Sequence, residues 1–229
     1  MKKICIFMFL GLFLALPALA QYNRYGNRSS RSNYRSRYTN NRGRSWYNDN
    51  NTYYGLRLGV TSSTVNSDDQ YLNGSSSSTG LNVGFVAGTQ VAYNAPVFLE
   101  GGLFYTEKGG KGYVGSKKFT YDLNYLEVPI VVKYKYYFDN QLSLQPFFGG
   151  FLACGVGGKI KNFGDREVED SFSDDRFRRF DGGIRLGCGL SIQNIYFDLG
   201  YDIGLANICH DYFDSSHTGC FFANIGVDF

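Results

Sequence analysis

Residues Phe221–Phe229 read FFANIGVDF and alternate between two faces. One face is apolar throughout, whereas most of the other consists of Asn224, Gly226 and Asp228. A period of two indicates a β-strand between two different environments. No tail follows to cover the strand, and an open apolar edge would promote aggregation. We therefore expect the strand to belong to a closed barrel, whose apolar face can lie in a membrane.

The same alternation recurs along the chain from Tyr53 onward, in segments that each have one almost continuous apolar face. There are eight such segments, near residues 53–61, 81–93, 97–107, 120–138, 142–158, 177–192, 195–206 and 219–229. Links of two or three residues alternate with polar links of roughly 12–19 residues. Short turns at one end and long loops at the other are typical of outer-membrane barrels. The pattern predicts an all-β fold, a closed antiparallel transmembrane β-barrel of eight strands over residues 52–229.

The start of the sequence resembles an export signal. Lys2 and Lys3 precede the apolar run Ile4–Leu16, and Ala18-Leu19-Ala20 forms a small-residue cleavage site. This run is too short for a membrane-spanning helix, and no later stretch reaches about 18 unbroken apolar residues. We predict cleavage after Ala20 and insertion of the mature chain in the outer membrane.

Charge is distributed unevenly along the mature chain. Residues 21–51 contain seven Arg and one Asp, a net charge of +6, whereas residues 52–229 carry −5. Few aliphatic residues occur in this basic segment, which predicts a disordered periplasmic tail. Nucleic acid is not the expected partner of an exported tail. Three interpretations remain: a solvated spacer, a contact with anionic envelope polymers or lipid headgroups, and a plug for the acidic lumen.

The second face of the strands is rich in Gly and carries isolated charges, which suits the crowded interior of a small barrel. Acidic and basic residues nearly balance there, and each charge needs a partner because an unpaired buried charge is costly. The predicted lumen charge network consists of Arg57, Glu100, Glu127, Lys133, Lys135, Asp181, Arg185, Asp198, Asp202 and Asp228.

Three motifs resemble the PorT-like outer membrane protein β-barrel family. They are YLEVP at 125–129 followed by Lys133-Tyr134, RFDGGIRLG at 179–187, and YFDLGY at 196–201. The resemblance covers residues 52–229. It implies an integral outer-membrane barrel that is porin-like or, in a few members, linked to protein secretion. It carries over no catalytic residue.

The link at 207–218 is the one place with side chains suited to chemistry. Its candidate residues are Cys209, His210, Asp211, Asp214, Ser215, Ser216, His217 and, just beyond, Cys220. Cys and His bind zinc, and His, Asp and Ser form acyl-transfer triads, but the spacing matches no standard signature. We favour a Cys209–Cys220 disulfide closing the hairpin, with free thiols as the alternative. We accordingly predict neither a catalytic or metal site nor a cofactor.

These observations predict a structural or porin-like barrel with a narrow pore or none, and not an enzyme. The alternatives are a surface-interaction or secretion-associated barrel acting through its long loops and, less favoured, an enzyme using residues 207–218. The Gly-rich basic segment 107–118 reads as an exposed loop near lipopolysaccharide phosphates. Expected partners are outer-membrane lipid, lipopolysaccharide and the barrel-assembly machinery, for which Phe229 resembles the C-terminal signal.

Overall fold

The fold of the chain is that of a computed structural model. The structure describes residues 52–67, 76–92, 95–114, 117–139, 141–161, 169–172, 179–206 and 216–229. The predicted signal peptide, the basic tail and most of the link at 207–218 lie outside these residues. Among the residues described, no helix is long and apolar enough to cross a membrane.

The described part of the chain is built from antiparallel strands. Their bounds are β1 Thr52–Ser67, β2 Ser76–Gln90, β3 Val97–Val114, β4 Lys117–Tyr134, β5 Tyr136–Tyr137, β6 Leu142–Gly157, β7 Lys159–Lys161, β8 Glu169–Asp170, β9 Phe180–Ile192, β10 Ile195–Gly204 and β11 Ser216–Asp228. The short strand β5 follows β4 after Lys135, and β7 follows β6 after Gly158. Strand β8 pairs with β7. The remaining eight strands form the wall of the barrel.

The sheet closes on itself. Strand order around the wall is β1-β2-β3-β4-β6-β9-β10-β11, and β11 pairs with β1. Leu58 has Val83 of β2 as its register partner on one side and Ile225 of β11 on the other. This confirms the predicted closed antiparallel eight-stranded barrel. Closure satisfies the backbone groups that an open edge would leave unpaired.

Both chain ends of the barrel meet at one rim. Tyr54 N donates to Phe229 O at 2.9 Å, and Phe229 N donates to Tyr54 O at 2.8 Å. The turn Gln193-Asn194 lies at the same rim, and Ile192 pairs with Ile195 across it, as the predicted two-residue turn requires. Gln193 has a φ of 56°, the left-handed conformation that tight hairpin turns demand. We call this rim the terminal end and the opposite rim the loop end.

The loop end differs from the sequence-based expectation. The segment 107–118 is not an exposed loop, because β3 and β4 remain paired up to Val114 and Lys117 and only residues 115–116 separate them. Likewise, β1 continues past its predicted end at residue 61 to Ser67. Ladder hydrogen bonds come from the backbone, so a strand beyond the apolar belt needs no apolar face. Because this segment is rich in glycine and lysine, its hydropathy did not predict a strand.

The two faces of the wall are separated as the alternation predicts. On β1, Leu56, Leu58 and Val60 are 53–61% exposed, whereas Arg57 is 2% exposed. Along β10 the residues alternate between exposed and buried without exception. A soluble protein would not expose so continuous an apolar belt. The apolar face therefore points away from the barrel, and the charged face lines its interior.

Candidate functional site in the barrel interior

Charged side chains from six of the eight wall strands lie on the inward face. Of the predicted network, Arg57, Glu100, Glu127, Lys133, Asp181, Arg185, Asp198 and Asp202 are buried, and Lys135 and Asp228 are half-buried. Each lies on an inward strand position or, for Lys135, at the break between β4 and β5. Apart from Asp198, these side chains form two clusters, one nearer each rim.

The terminal-end cluster is centred on one lysine–glutamate pair. Lys133 Nζ lies 2.7 Å from Glu100 Oε2 and donates to Tyr196 OH at 2.8 Å. Tyr53 OH donates to the same Glu100 oxygen at 2.6 Å. Each ion of this buried pair therefore has a hydrogen bond to a neutral hydroxyl group, which lowers the cost of keeping both ions away from water.

Two further cations complete the terminal-end cluster. Arg57 Nη2 lies 2.5 Å from Asp228 Oδ1, and the Arg57 guanidinium carbon lies 4.0 Å from the centre of the Tyr196 ring. Lys135 Nζ lies 3.9 Å from the centre of the Tyr53 ring. Aromatic faces attract cations by their quadrupole, so these rings supply part of the solvation that water would otherwise provide.

The loop-end cluster contains as many charged side chains as the terminal-end cluster, but they contact one another more closely. Arg185 reaches Asp202 through two bonds, Nε to Oδ1 and Nη2 to Oδ2, each 2.7 Å long. The same Nη2 also donates to Glu127 Oε1. Lys108 Nζ lies 2.7 Å from Glu127 Oε2, with Asp181 Oδ2 at 3.9 Å and Asp202 Oδ2 at 4.0 Å. Two cations thus bind together three carboxylates from three strands.

This cluster crosses the whole interior. Lys108 belongs to β3 and Asp202 to β10, which are four strands apart in the eight-stranded wall and hence on opposite sides. Their charged groups nevertheless approach to 4.0 Å. Arg185 also stacks on Phe222, 4.5 Å from its ring centre, and Phe222 stacks on Phe147. Side chains therefore fill the interior at this level, as expected of an eight-stranded barrel.

Neutral polar groups bond to Asp198 and Asp181. Asn82 Nδ2 donates to Asn224 Oδ1 at 2.8 Å, and Asn224 Nδ2 donates to Asp198 Oδ1 at 2.7 Å. Near the loop-end cluster, Thr218 Oγ1 donates to Asp181 Oδ2 at 2.8 Å. These bonds satisfy the two carboxylates that lie furthest from a close cationic partner in the described interior.

Lys108 is the one charged side chain of the described clusters that the predicted network omitted. It is 4% exposed and participates in the loop-end cluster, but strand three was predicted to end at residue 107. The signal was present in the sequence, because continuing the inward positions Phe98, Glu100 and Phe104 by twos reaches Lys108. Its flanking glycines made the segment resemble a loop instead.

Residues 207–218 and their neighbour Cys220 are only partly described. Cys209, His210, Asp211, Asp214 and Ser215 lie outside the described residues, whereas Ser216, His217 and Cys220 belong to β11. Cys220 is a fully buried free thiol that faces the interior as the register partner of Asp202. An inward free thiol does not support the Cys209–Cys220 disulfide, which stays a prediction because Cys209 is not described. In the described part of the chain, no three His, Cys, Asp or Glu side chains are arranged to hold a metal ion.

An outward apolar belt around a polar, filled interior defines an integral membrane β-barrel. The chain belongs to the outer membrane protein beta-barrel domain family, whose family model matches residues 20–210. It is accordingly an outer-membrane protein. No curated protein matches the sequence.

Several solved structures are similar to this barrel. The attachment invasion locus protein Ail of Yersinia pestis is 16% identical with a TM-score of 0.42, and the match covers 77% of this chain and 98% of Ail. Neisserial surface protein A is 14% identical with a TM-score of 0.44, covering 77% and 97%. OprG of Pseudomonas aeruginosa is 9% identical with a TM-score of 0.44, covering 78% and 96%. Identities this low carry no information on activity.

Proposed function

We propose that this protein is a structural outer-membrane barrel whose lumen is closed to solutes. The observation that supports this proposal is the loop-end cluster, in which Lys108 and Asp202 meet from opposite walls. A solute that passed through would have to separate ion pairs inside a low-dielectric interior, where each unpaired charge costs several kcal/mol. The terminal-end cluster forms a second barrier of the same kind.

Single-channel recording of the refolded mature chain in planar bilayers tests the proposal. We expect no steady conductance from the wild type, and steady ohmic openings in it would contradict a closed lumen. Lys108→Ala shortens the side chain that spans the interior and should produce openings. Lys111→Ala is the matched control, since Lys111 lies three residues further along β3 and outside the cluster. A shift in mobility on heating in SDS gels verifies that each variant is folded.

The location of the termini supports an orientation and a set of partners. Outer-membrane barrels have short turns and chain ends at the periplasmic rim, so the terminal end would face the periplasm and the loop end the cell surface. Phe229, 64% exposed at that rim, would serve as the C-terminal signal for the barrel-assembly machinery. The wall would contact outer-membrane lipid and lipopolysaccharide. Cleavage after Ala20 would leave the +6 tail in the periplasm, where it could contact envelope polymers.

Assembly through Phe229 can be tested directly. Phe229→Ala should reduce the amount of heat-modifiable barrel in the outer membrane, with Phe138→Ala, an exposed aromatic of the same rim, as control. Equal insertion of both variants would contradict a special role for the C-terminal aromatic. For the signal, N-terminal sequencing of the mature protein should begin at Gln21.

A second candidate function is surface interaction or assistance to secretion, which the PorT-like resemblance suggests. The observation in favour of it is the β3–β4 hairpin, whose ladder continues to Val114 and Lys117. Shortening the hairpin so that Gly110 and Tyr121 flank the turn would leave the interior clusters in place. A changed profile of secreted or surface proteins in cells that carry the shortened hairpin would favour this function. An unchanged profile would leave the structural barrel as the better explanation.

A further inference from the structure

The loop end of the interior contains an apolar cluster that lies directly against the ion pairs. We call it the mouth cluster; its members, all at most 3% exposed, are Val65, Tyr121, Leu123, Tyr125, Phe151, Ala153 and Phe172. Six of them belong to the wall strands β1, β4 and β6. Phe172 alone comes from outside the wall, from the turn that follows β8.

The segment that carries Phe172 is attached to the rim at two points. Ser171 N donates to Gly158 O at 3.1 Å, and Ser171 Oγ donates to Asp122 O at 2.8 Å. On the other side, Arg179 Nη2 donates to Phe172 O at 3.2 Å, and the Arg179 guanidinium carbon lies 5.4 Å from the Phe172 ring centre. These contacts direct the ring inward although the segment belongs to a connection between strands.

The wall has a recess for this ring. An ideal Cβ at Gly155 would lie 2.5 Å from Phe172 Cε1, so any larger residue there would displace the ring. The Phe172 and Tyr125 rings meet edge to face, with centres 5.7 Å apart. Glycine at position 155 is therefore explained by the close approach of Phe172 and not by a backbone conformation.

One aromatic layer separates Phe172 from the loop-end ion cluster. Lys108 Nζ lies 5.7 Å from the Tyr125 ring centre and 4.3 Å from the Phe151 ring centre. Ion pairs are stronger where water is excluded, because the local dielectric constant is lower. An apolar ring on the water side of these two aromatic residues would keep the ion cluster dry.

We infer that the side chain of Phe172 closes the loop end of the barrel and excludes water and small solutes from the interior ion cluster; we call this side chain the stopper. The inference rests on the proposed closed lumen and assigns its outer closure to one side chain. The ion pairs close the interior from within, and Phe172 closes it from the loop end.

Cys220 provides a built-in reporter of this closure, since its thiol is free, fully buried and the register partner of Asp202 in the loop-end cluster. In a background of Cys154→Ala, Cys188→Ala and Cys209→Ser, we would measure the rate at which a small cationic methanethiosulfonate reagent modifies Cys220 in the refolded barrel. Protein denatured in SDS provides the fully accessible reference.

Phe172→Ala should raise the modification rate of Cys220 by about tenfold or more, which corresponds to a loss of about 1.4 kcal/mol of closure. Gly155→Ala should raise it as well, because the added methyl group displaces the ring without changing Phe172. Gly157→Ala is the matched control on the same strand, since no described atom lies within 4 Å of a Cβ at that position; it should leave the rate unchanged.

The outcomes separate the two proposals. Slow modification in the wild type, in Phe172→Ala and in Gly155→Ala, all heat-modifiable, would overturn the stopper while leaving the closed lumen intact. Rapid modification in the wild type together with steady conductance would overturn the closed lumen itself. If Phe172→Ala fails to fold, Gly155→Ala decides the matter, with Phe172→Leu expected to keep the rate low.

Discussion

The two interior clusters stabilise buried charge in different ways. At the terminal end, the Lys133–Glu100 pair is surrounded by the hydroxyl groups of Tyr53 and Tyr196, which remain as partners if one ion is lost. At the loop end, Arg185 and Lys108 are the cations that hold Glu127 and its neighbouring carboxylates together. The comparison indicates that neutral hydroxyl groups make a buried ion pair tolerant of change, whereas a cluster composed of ions depends on every member.

The strongest test of this difference is the removal of Arg185. Arg185→Leu leaves Asp202 and Glu127 with only Lys108 to balance them. We expect the free energy of unfolding to fall by about 3–5 kcal/mol, the cost of an uncompensated buried charge. Urea unfolding of the barrel in lipid vesicles measures it. A loss no larger than that of the terminal-end variant Lys133→Met would contradict this difference between the clusters.

Removal of Lys108 should have the next largest effect. Lys108→Met takes away the ammonium group that lies among three carboxylates, and we expect a loss of about 3 kcal/mol. Adding Glu127→Gln removes the matching negative charge and should restore much of the stability. The same urea titration, carried out on both single variants and on the double variant, gives the coupling energy. Additive effects would show that the two charges do not act as a pair.

The terminal-end cluster should tolerate the equivalent change better. After Lys133→Met, Glu100 still accepts the hydrogen bond from Tyr53 OH. We expect a loss of about 1.5–3 kcal/mol, in the range of a hydrogen bond to a charged group. Combining the change with Tyr53→Phe removes this remaining partner, and the added loss should exceed that of Tyr53→Phe alone. Equal losses from Tyr53→Phe with and without Lys133 would argue against compensation by the hydroxyl group.

The smallest effect is expected at the rim. Lys135 Nζ lies over the rings of Tyr53 and Phe98, at 3.9 and 4.1 Å from their centres. Lys135→Ala should cost about 0.5–1 kcal/mol, the usual value of a partly exposed cation–π contact. Lys135→Arg, which keeps the cation, should unfold at the wild-type urea concentration. A loss comparable with that of Lys133→Met would mean that the smaller burial of Lys135 does not lower the cost of removing its charge.

Alternation along the strands, the alternating short and long links and the Gly-rich second face together predicted the closed barrel and the inward position of the charged residues. Ile192 and Ile195 lie on the same face of neighbouring strands, so two residues must separate them. The structure has the turn Gln193-Asn194 at this place. The same rule failed at the loop end, where β3 continues to Val114. Once the strand leaves the apolar belt, hydropathy no longer distinguishes a strand from a loop. Lys108 was therefore left out of the predicted network.

The sequence by itself determined the two faces of each strand, because side chains alternate with a period of two regardless of the partner strand. The glycines and isolated charges of one face then indicated that this face points into a crowded interior. Only the tertiary structure decided which charges meet. Arg185 and Glu127 are 58 residues apart, and their contact depends on the stagger of strands β4 and β9 around the closed wall. The same holds for Phe172, which occupies the mouth because Gly155 lies opposite it in space, a relation that no local pattern in the chain expresses.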